Sequence, residues 1–187
     1  NIMNNSSEKK LIIYLADLDH FRPGNRASVP LGIGSIASYC KSIYGDAVDI
    51  SLFKDPDELM RAIKHRSPHI LGCSFFMWNT NLTLKIIEVC KIISGQTITV
   101  IGGPNVARNT DYFKKILKTN PSLDIVVLDQ GEKSFSNILN RILKEDSNKK
   151  TIFSKSIDGC ATRLNKVGPI TRGEIVVGGI DLNSFPS

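Results

Sequence analysis

Cysteine is scarce in this sequence, and no two cysteines form a Cys-x-x-Cys pair: there are four, Cys40, Cys73, Cys90 and Cys160. That spacing argues against a thiolate metal site and against a disulfide framework. Cys40 and Cys90 fall on the apolar stripes of predicted helices and Cys73 lies inside a predicted strand, so core packing accounts for these three. Cys160 has no such assignment. Unpaired thiols of this kind suit a reducing, cytoplasmic setting. No apolar run reaches the ~18 residues that span a bilayer, and the opening "NIMNNSSEKK" is too polar for a signal peptide. Acidic residues are outnumbered, 18 to 24, leaving a formal charge of +6. The excess is scattered in pairs such as Lys9-Lys10, Lys114-Lys115 and Lys149-Lys150. Scattered pairs read as solvated helix faces and termini, not as a nucleic-acid groove. Histidine occurs three times and tryptophan once, at Trp78.

What is present is a regular alternation of short apolar runs and amphipathic segments. Strands are expected at 10–17, 48–54, 69–76, 98–103 and 124–129. Helices are expected at about 31–44, after Pro56, and at about 80–94, 110–119 and 132–145. The inward faces are Ile33, Ile36, Ala37, Cys40 and Tyr44 in the first helix, Leu59 and Ile63 in the second, Leu82, Ile86, Val89 and Ile93 in the third, and Phe135, Ile138, Leu139 and Ile142 in the fifth. Five strands alternating with five helices indicate right-handed βαβ units and a parallel sheet. The last three strands are nearly continuous apolar runs, as in strands covered on both faces. The fold class is therefore a doubly wound α/β sandwich, flavodoxin-like or Rossmann-like, with strand order 2-1-3-4-5. Residues 1–9 read as a disordered-like lead, 10–146 as the α/β domain, and 147–187 as a small antiparallel hairpin and linker.

In such a sheet, ligands bind outside the carboxyl ends of the strands, near the switch between strands one and three. Four loops leave that edge: "LDHFRPGNRASVP" (18–30), "MWNT" (77–80), "GGPNVARN" (102–109) and "DQGEKS" (129–134). Gly102 and Gly103 admit two readings, a close approach to a ligand or a plain turn after a strand. Gly32-x-Gly34-x-x-Ala37 matches a dinucleotide fingerprint, but that fingerprint must follow strand one directly. Here it opens a helix, and close packing of the helix on the sheet is the expected reason for its glycines. A phospho-receiver site fails twice: Ser74, Phe75 and Phe76 stand where strand three would carry the phosphoacceptor Asp, and Asp129 and Gln130 stand where strand five would end in Lys. A flavin-phosphate loop is not supplied by "LDHFRPGN" either.

Ser74 and Phe76 on strand three, with Gly102-Gly103 on strand four, remain. This combination resembles the cobalamin-binding domain family, in which a Ser-x-Leu and a Gly-Gly line the slot for the cofactor's nucleotide tail. The blocks "VPLGIGSIASYCKSIYGDAVDISLFK", "PHILGCSFFMWNTN", "VIGGPNV" and "DQGEKSFSNIL" further resemble the amino-terminal domain of cobalamin-dependent radical SAM enzymes. The family's Gly-Glu-Gly-Glu loop appears as Asp129-Gln130-Gly131-Glu132, two positions matching and two departing. The tail "IDLNSFPS" resembles the link into a radical SAM barrel.

The resemblance implies a site made of Gly24, Leu31, Ser74, Phe76, Met77, Trp78, Asn79, Gly102, Gly103, Pro104, Asn105, Gln130, Gly131 and Glu132. Phe76 to Asn79 would floor the corrin macrocycle; alternatively Trp78 packs under the third helix or against another domain. A benzimidazole tail sliding past a strand needs small or absent Cβ atoms, and a Ser hydroxyl can hydrogen-bond its ring nitrogen. The chain lacks Cys-x-x-x-Cys-x-x-Cys, so the [4Fe-4S] cluster and S-adenosylmethionine are expected in a downstream radical SAM domain, the implied partner. It also lacks the Asp-x-His-x-x-Gly loop that brings an imidazole to cobalt: the residues run Asp17, Leu18, Asp19, His20. Cobalamin is therefore expected without a histidine ligand, His20 pointing to solvent. Methyl transfer is the activity implied for the parent protein, and a cofactor-free docking module is the rival.

Overall fold

The structure, a computed structural model, describes residues 10–19, 31–106, 110–145, 149–164 and 168–176. The expected disordered-like lead, most of the first carboxyl-edge loop including His20 and Gly24, and the final linker lie outside the described residues.

The strands are β1 (Leu11–Ala16), β2 (Val48–Phe53), β3 (Ile70–Ser74), β4 (Ile98–Gly102), β5 (Ile125–Val127), β6 (Cys160–Arg163) and β7 (Ile170–Arg172). The helices are α1 (Leu31–Tyr44), α2 (Pro56–His65), α3 (Thr80–Ile93), α4 (Thr110–Thr119), α5 (Gly131–Lys144) and a single turn, α6 (Lys149–Ile152). Local chemistry explains where they start. Asp55 caps α2 by accepting from the amides of Asp57 and Glu58, Pro56 takes the first turn, and Lys64 and His65 close it on the negative end of the dipole.

The sheet order is β2-β1-β3-β4-β5-β6-β7. The first five strands are parallel in the anticipated order, and β6 and β7 add antiparallel to β5. The carboxyl-terminal hairpin is thus not an appendage: the sheet has seven strands, not five. The reason is the edge of β5, whose unpaired N–H and C=O groups invite a partner. Cys160 is fully buried within this extension, which supplies the assignment that its sequence context lacks.

Core side chains divide between the two faces. Leu59, Leu71, Phe75, Ile87, Ile101 and Leu117 pack under α2, α3 and α4. Ile13, Leu15, Ile70, Ile125, Ile138 and Leu139 pack under α1 and α5. The buried residues of α3 are Thr83, Ile86, Ile87 and Cys90, so the expected stripe shifts: Ile93 is exposed and Val89 only half-buried. The helix ends at Ile93, and in its last turn Cys90 faces the core while Ile92 and Ile93 face out. At the amino edge, the carboxylate of Asp124 binds Lys91 and accepts from the Thr99 amide at 2.9 Å, fastening α3, β4 and β5. The His69 ring takes the Ile12 amide at 2.9 Å there as well. Among the described residues, no helix is long and apolar enough to cross a membrane.

All four cysteines are buried and none forms a disulfide. Burial, with a smaller contribution from the Glu132 carboxylate, pushes the Cys40 thiol up to about 12; burial likewise raises Cys73 and Cys160. A raised thiol pKa keeps the unreactive protonated form at neutral and mildly basic pH. Ellman's reagent at pH 8 is therefore expected to label none of the four in the native chain and all four in denaturant. Rapid labelling of Cys40 in the native state would contradict this packing.

Candidate functional site

Side chains alternate across a strand. On the face of β3 that looks toward α1 and α5 the residues are Ile70, Gly72 and Ser74; on β4 they are Ile98, Val100 and Gly102. Ser74 lies opposite Gly102 and Gly72 opposite Val100 in parallel register. Bulk therefore falls away toward the carboxyl edge, and α1 and α5 roof a space that the sheet does not fill. The result is a cleft of about 540 Å³. Of the anticipated site residues, Ser74, Phe76, Gly102, Gly103, Pro104, Gly131 and Glu132 line it.

The two adjacent glycines have different jobs. A Cβ on Gly102 would lie 3.0 Å from the Val127 Cβ, so a side chain here would press on β5 at the cleft floor. Gly103 has φ +131°, and a Cβ would sit 3.1 Å from the Phe75 carbonyl oxygen and 3.2 Å from its nitrogen. Its constraint is the crossing of two backbones. Phe75 N–H donates to the Gly102 carbonyl at 2.7 Å, and Asn105 N–H donates to the Phe75 carbonyl at 3.2 Å.

The loop after β3 forms one rim. Phe76 and Trp78 stack with centroids 4.5 Å apart and planes 8° apart. Met77 is 81% exposed and Trp78 61%, so Trp78 does not pack under α3. Asn79 is fully buried beneath the loop, outside the cleft. Its Oδ1 accepts from the Phe76 amide at 2.9 Å, and its Nδ2 donates to the carbonyls of Leu18 at 3.1 Å and Ser74 at 3.3 Å. It thus ties the ends of β1 and β3 together. Asn105 donates to the Thr80 hydroxyl at 3.1 Å, joining the β4 loop to the start of α3.

Across the cleft, the Ser35 hydroxyl donates to Glu132 at 2.6 Å, and the Tyr44 hydroxyl donates to the Ser136 carbonyl at 2.8 Å, so α1 and α5 are held side by side. Gln130 caps α5 without a side-chain bond to its first turn, and its Oε1 is buried with no partner among the described residues. Leu31 is the first residue of α1. Gly24 falls outside the described residues. Neither described histidine meets the cleft: His65 ends α2, and His69 precedes β3 at the opposite edge. Among the described residues no group of three His, Cys, Asp or Glu could hold a metal.

Several lining residues went unanticipated, among them Gly32, Ile33, Ile36, Gly72 and Asp129. Gly72 was legible, because it lies two residues before Ser74 and so on the same face. A Cβ there would come within 2.8 Å of Leu15 and 3.1 Å of Phe135. For Gly32 and Gly34, close packing is not the reason: a Cβ at either would meet nothing within 4 Å. Gly32 instead opens α1 at the cleft wall.

A family model described as the B12 binding domain matches residues 27–139, more than half of the chain and every cleft-lining residue but Leu15. The chain belongs to that family. Two curated relatives are distant. One is the cytidylyl-2-hydroxyethylphosphonate methyltransferase of Streptomyces wedmorensis, 25% identical over 59% of this chain and 24% of its own length. The other is the anaerobic magnesium-protoporphyrin IX monomethyl ester cyclase of Rubrivivax gelatinosus, 24% identical over 60% of this chain and 20% of its own length. The chain thus matches only about a quarter or less of the relatives' length. The cobalamin-dependent S-adenosylmethionine radical enzyme OxsB, solved with aqua-cobalamin and S-adenosylmethionine, shares the fold at TM-score 0.67 and 16% identity, over 91% of this chain and 23% of that one. The receiver domain of RcsB from Salmonella enterica serovar Typhimurium shares it at TM-score 0.53 and 18% identity, over 73% of this chain and 90% of that one. Both likenesses are of fold alone. In this B12 binding domain the end of β3 is Ser74, which keeps the receiver's phosphoacceptor chemistry out of reach.

Asn79→Ala strips one buried and two part-buried backbone groups of their partner, a loss of about 2–3 kcal/mol. The expected result is a lower urea midpoint with altered Trp78 emission, because the lone tryptophan sits on the freed loop. Unchanged emission and midpoint would show that the loop holds without Asn79.

Proposed function

We propose that this domain holds cobalamin with its nucleotide tail in the cleft and its corrin ring over the carboxyl edge. The observation that carries the reading is the strip Gly72, Ser74 and Gly102 beneath α1 and α5, a space kept open by missing side chains in a member of the B12 binding domain family. The walls suit a flat apolar ring: Leu15, Ile33, Ile36, Val100, Val127 and Phe135 surround it. The Ser74 hydroxyl is the group placed to hydrogen-bond a ring nitrogen. The exposed Met77 and Trp78, with the half-buried Phe76 stacked on Trp78, supply an apolar rim that a macrocycle would cover. When bound, cobalamin supplies a cobalt able to carry a methyl group.

The finer reading is that the domain serves a radical SAM methyltransferase. One relative named as a methyltransferase and the fold likeness to an S-adenosylmethionine radical enzyme support it, as does the relatives' greater length, which leaves room for a domain with the cluster cysteines that this chain lacks. The cofactor-free alternative draws on Asp129, whose carboxylate is already committed to Arg172. One experiment separates the two. The chain is mixed with hydroxocobalamin, desalted, and its visible spectrum recorded; retained colour near one equivalent supports cobalamin, and a colourless protein sinks it. Ser74→Phe fills the strip, so it is expected to lower retention at least tenfold with an unchanged circular dichroism spectrum. Equal retention would place the tail elsewhere.

Cobalt is proposed to have no protein imidazole beneath it. His65 and His69 lie away from the carboxyl edge, and the sequence around His20 lacks the Asp-x-His-x-x-Gly spacing that brings an imidazole to cobalt. Electron paramagnetic resonance of the cob(II)alamin form should then show cobalt lines without three-fold nitrogen splitting. Splitting that vanishes in His20→Ala would make His20 the ligand.

A further inference from the structure

Asp129 departs from the loop pattern of the family, and the structure shows what it does instead. The residue lines the cleft, yet its side chain is only 4% exposed. Its two oxygens accept from one Arg172 nitrogen, at 3.0 and 3.3 Å. The second oxygen also accepts from the Val176 amide at 3.1 Å. Arg172 belongs to the outermost strand and Val176 to the segment that follows it, so a single carboxylate at the end of β5 reaches across β6 to both.

That segment, residues 173–176, is laced to its surroundings along its length. Gly173 N–H donates to the Cys160 carbonyl at 3.0 Å, Gly159 N–H to the Glu174 carbonyl at 2.8 Å, and Glu174 N–H to the Asp158 carboxylate at 3.1 Å. The Gly159 carbonyl accepts from Leu128 at 2.9 Å and Asp129 at 3.3 Å, so the segment, Gly159 and the end of β5 form one hydrogen-bonded run. Gly159 has φ +78°, and a Cβ there would fall 2.1 Å from the Ser134 hydroxyl and 3.0 Å from a Val176 methyl. The segment therefore lies close against the first turn of α5, the same turn whose Gly131 and Glu132 line the cleft.

We propose that Asp129 is a positioning residue that fastens residues 173–176 to the cleft wall, coupling occupation of the cleft to the path of that segment. A buried carboxylate needs donors, and the charge-assisted bonds from Arg172 and Val176 supply them. Leu128 and Asp129 line the cleft and hold Gly159. A ligand that orders this wall therefore orders the segment, and by reciprocity a loosened segment weakens the ligand. The ligand half of this proposal rests on the cobalamin reading; the fastening itself does not.

The test uses the ¹⁵N-labelled 187-residue chain, with amide exchange at Val176 followed with and without hydroxocobalamin. Asp129→Asn keeps the shape but removes the charge, and Val176→Pro removes the donor. Circular dichroism checks that both variants are folded. In the parent, hydroxocobalamin is expected to slow Val176 exchange. Asp129→Asn is expected to speed it about tenfold without ligand, and both variants to weaken cobalamin binding about tenfold, the scale of a modest coupling. Val176 exchange unchanged in Asp129→Asn overturns the fastening. A chain that retains colour but exchanges Val176 equally with and without cobalamin overturns the coupling. A parent that retains no colour defeats the cobalamin reading and with it the coupling, while ligand-free exchange still decides the fastening.

Discussion

Two strands whose carboxyl ends present almost no side chain to one face govern the rest of this molecule. At the carboxyl edge, β3 and β4 set Ser74 against Gly102 in register, with Gly72 one step inward. A parallel sheet in an α/β fold is normally filled on both faces. Here one face is filled by α2, α3 and α4, and the other is filled at its amino half by Ile70, Ile98 and Ile125. Toward the carboxyl half Leu15, Val100, Val127 and Phe135 pack around the cleft and leave it open between them. Ser35 to Glu132 and Tyr44 to Ser136 hold α1 and α5 together above it, so the cleft does not collapse when the small residues leave it open.

The rim around this opening is built from backbone contacts more than from side-chain packing. Gly103 and Phe75 approach too closely for a Cβ, which fixes the β3 and β4 loops to each other. Asn79 answers the amide of Phe76 and the carbonyls of Leu18 and Ser74, which fixes the ends of β1 and β3. Met77 and Trp78 can then stand in solvent on a loop that is itself anchored. Exposed apolar groups on a held loop differ from a frayed end: they form a surface ready to be covered.

The far side of the cleft depends on the added hairpin. Because β6 and β7 continue the sheet past β5, the segment after β7 returns to the carboxyl edge beside Asp129. Covering an open strand edge thus also places a second piece of chain at the site. The buried ion pair with Arg172 brings no assured gain in stability of its own, but it gives the returning segment one register.

Periodicity in the chain settles the five-strand core, its order-generating alternation, and the helix faces of α1, α2 and α5, because apolar spacing at 2 and 3.6 residues survives any tertiary context. Ser74, Phe76 and the Gly-Gly pair were legible as a site because they fall at strand ends where such folds bind ligands. Gly72 was equally readable from the alternation of β3, yet a lone glycine in an apolar run says nothing until its neighbours are known. Other features were set only by tertiary structure. The edge of β5 recruited the hairpin, because unpaired strand groups need partners that no local pattern names. The buried position of Asn79 and the two bonds of Asp129 join residues dozens of positions apart. The separate duties of Gly102 and Gly103 follow from what lies against each, the Val127 side chain in one case and the Phe75 backbone in the other, a fact of packing that two identical letters in a row cannot carry.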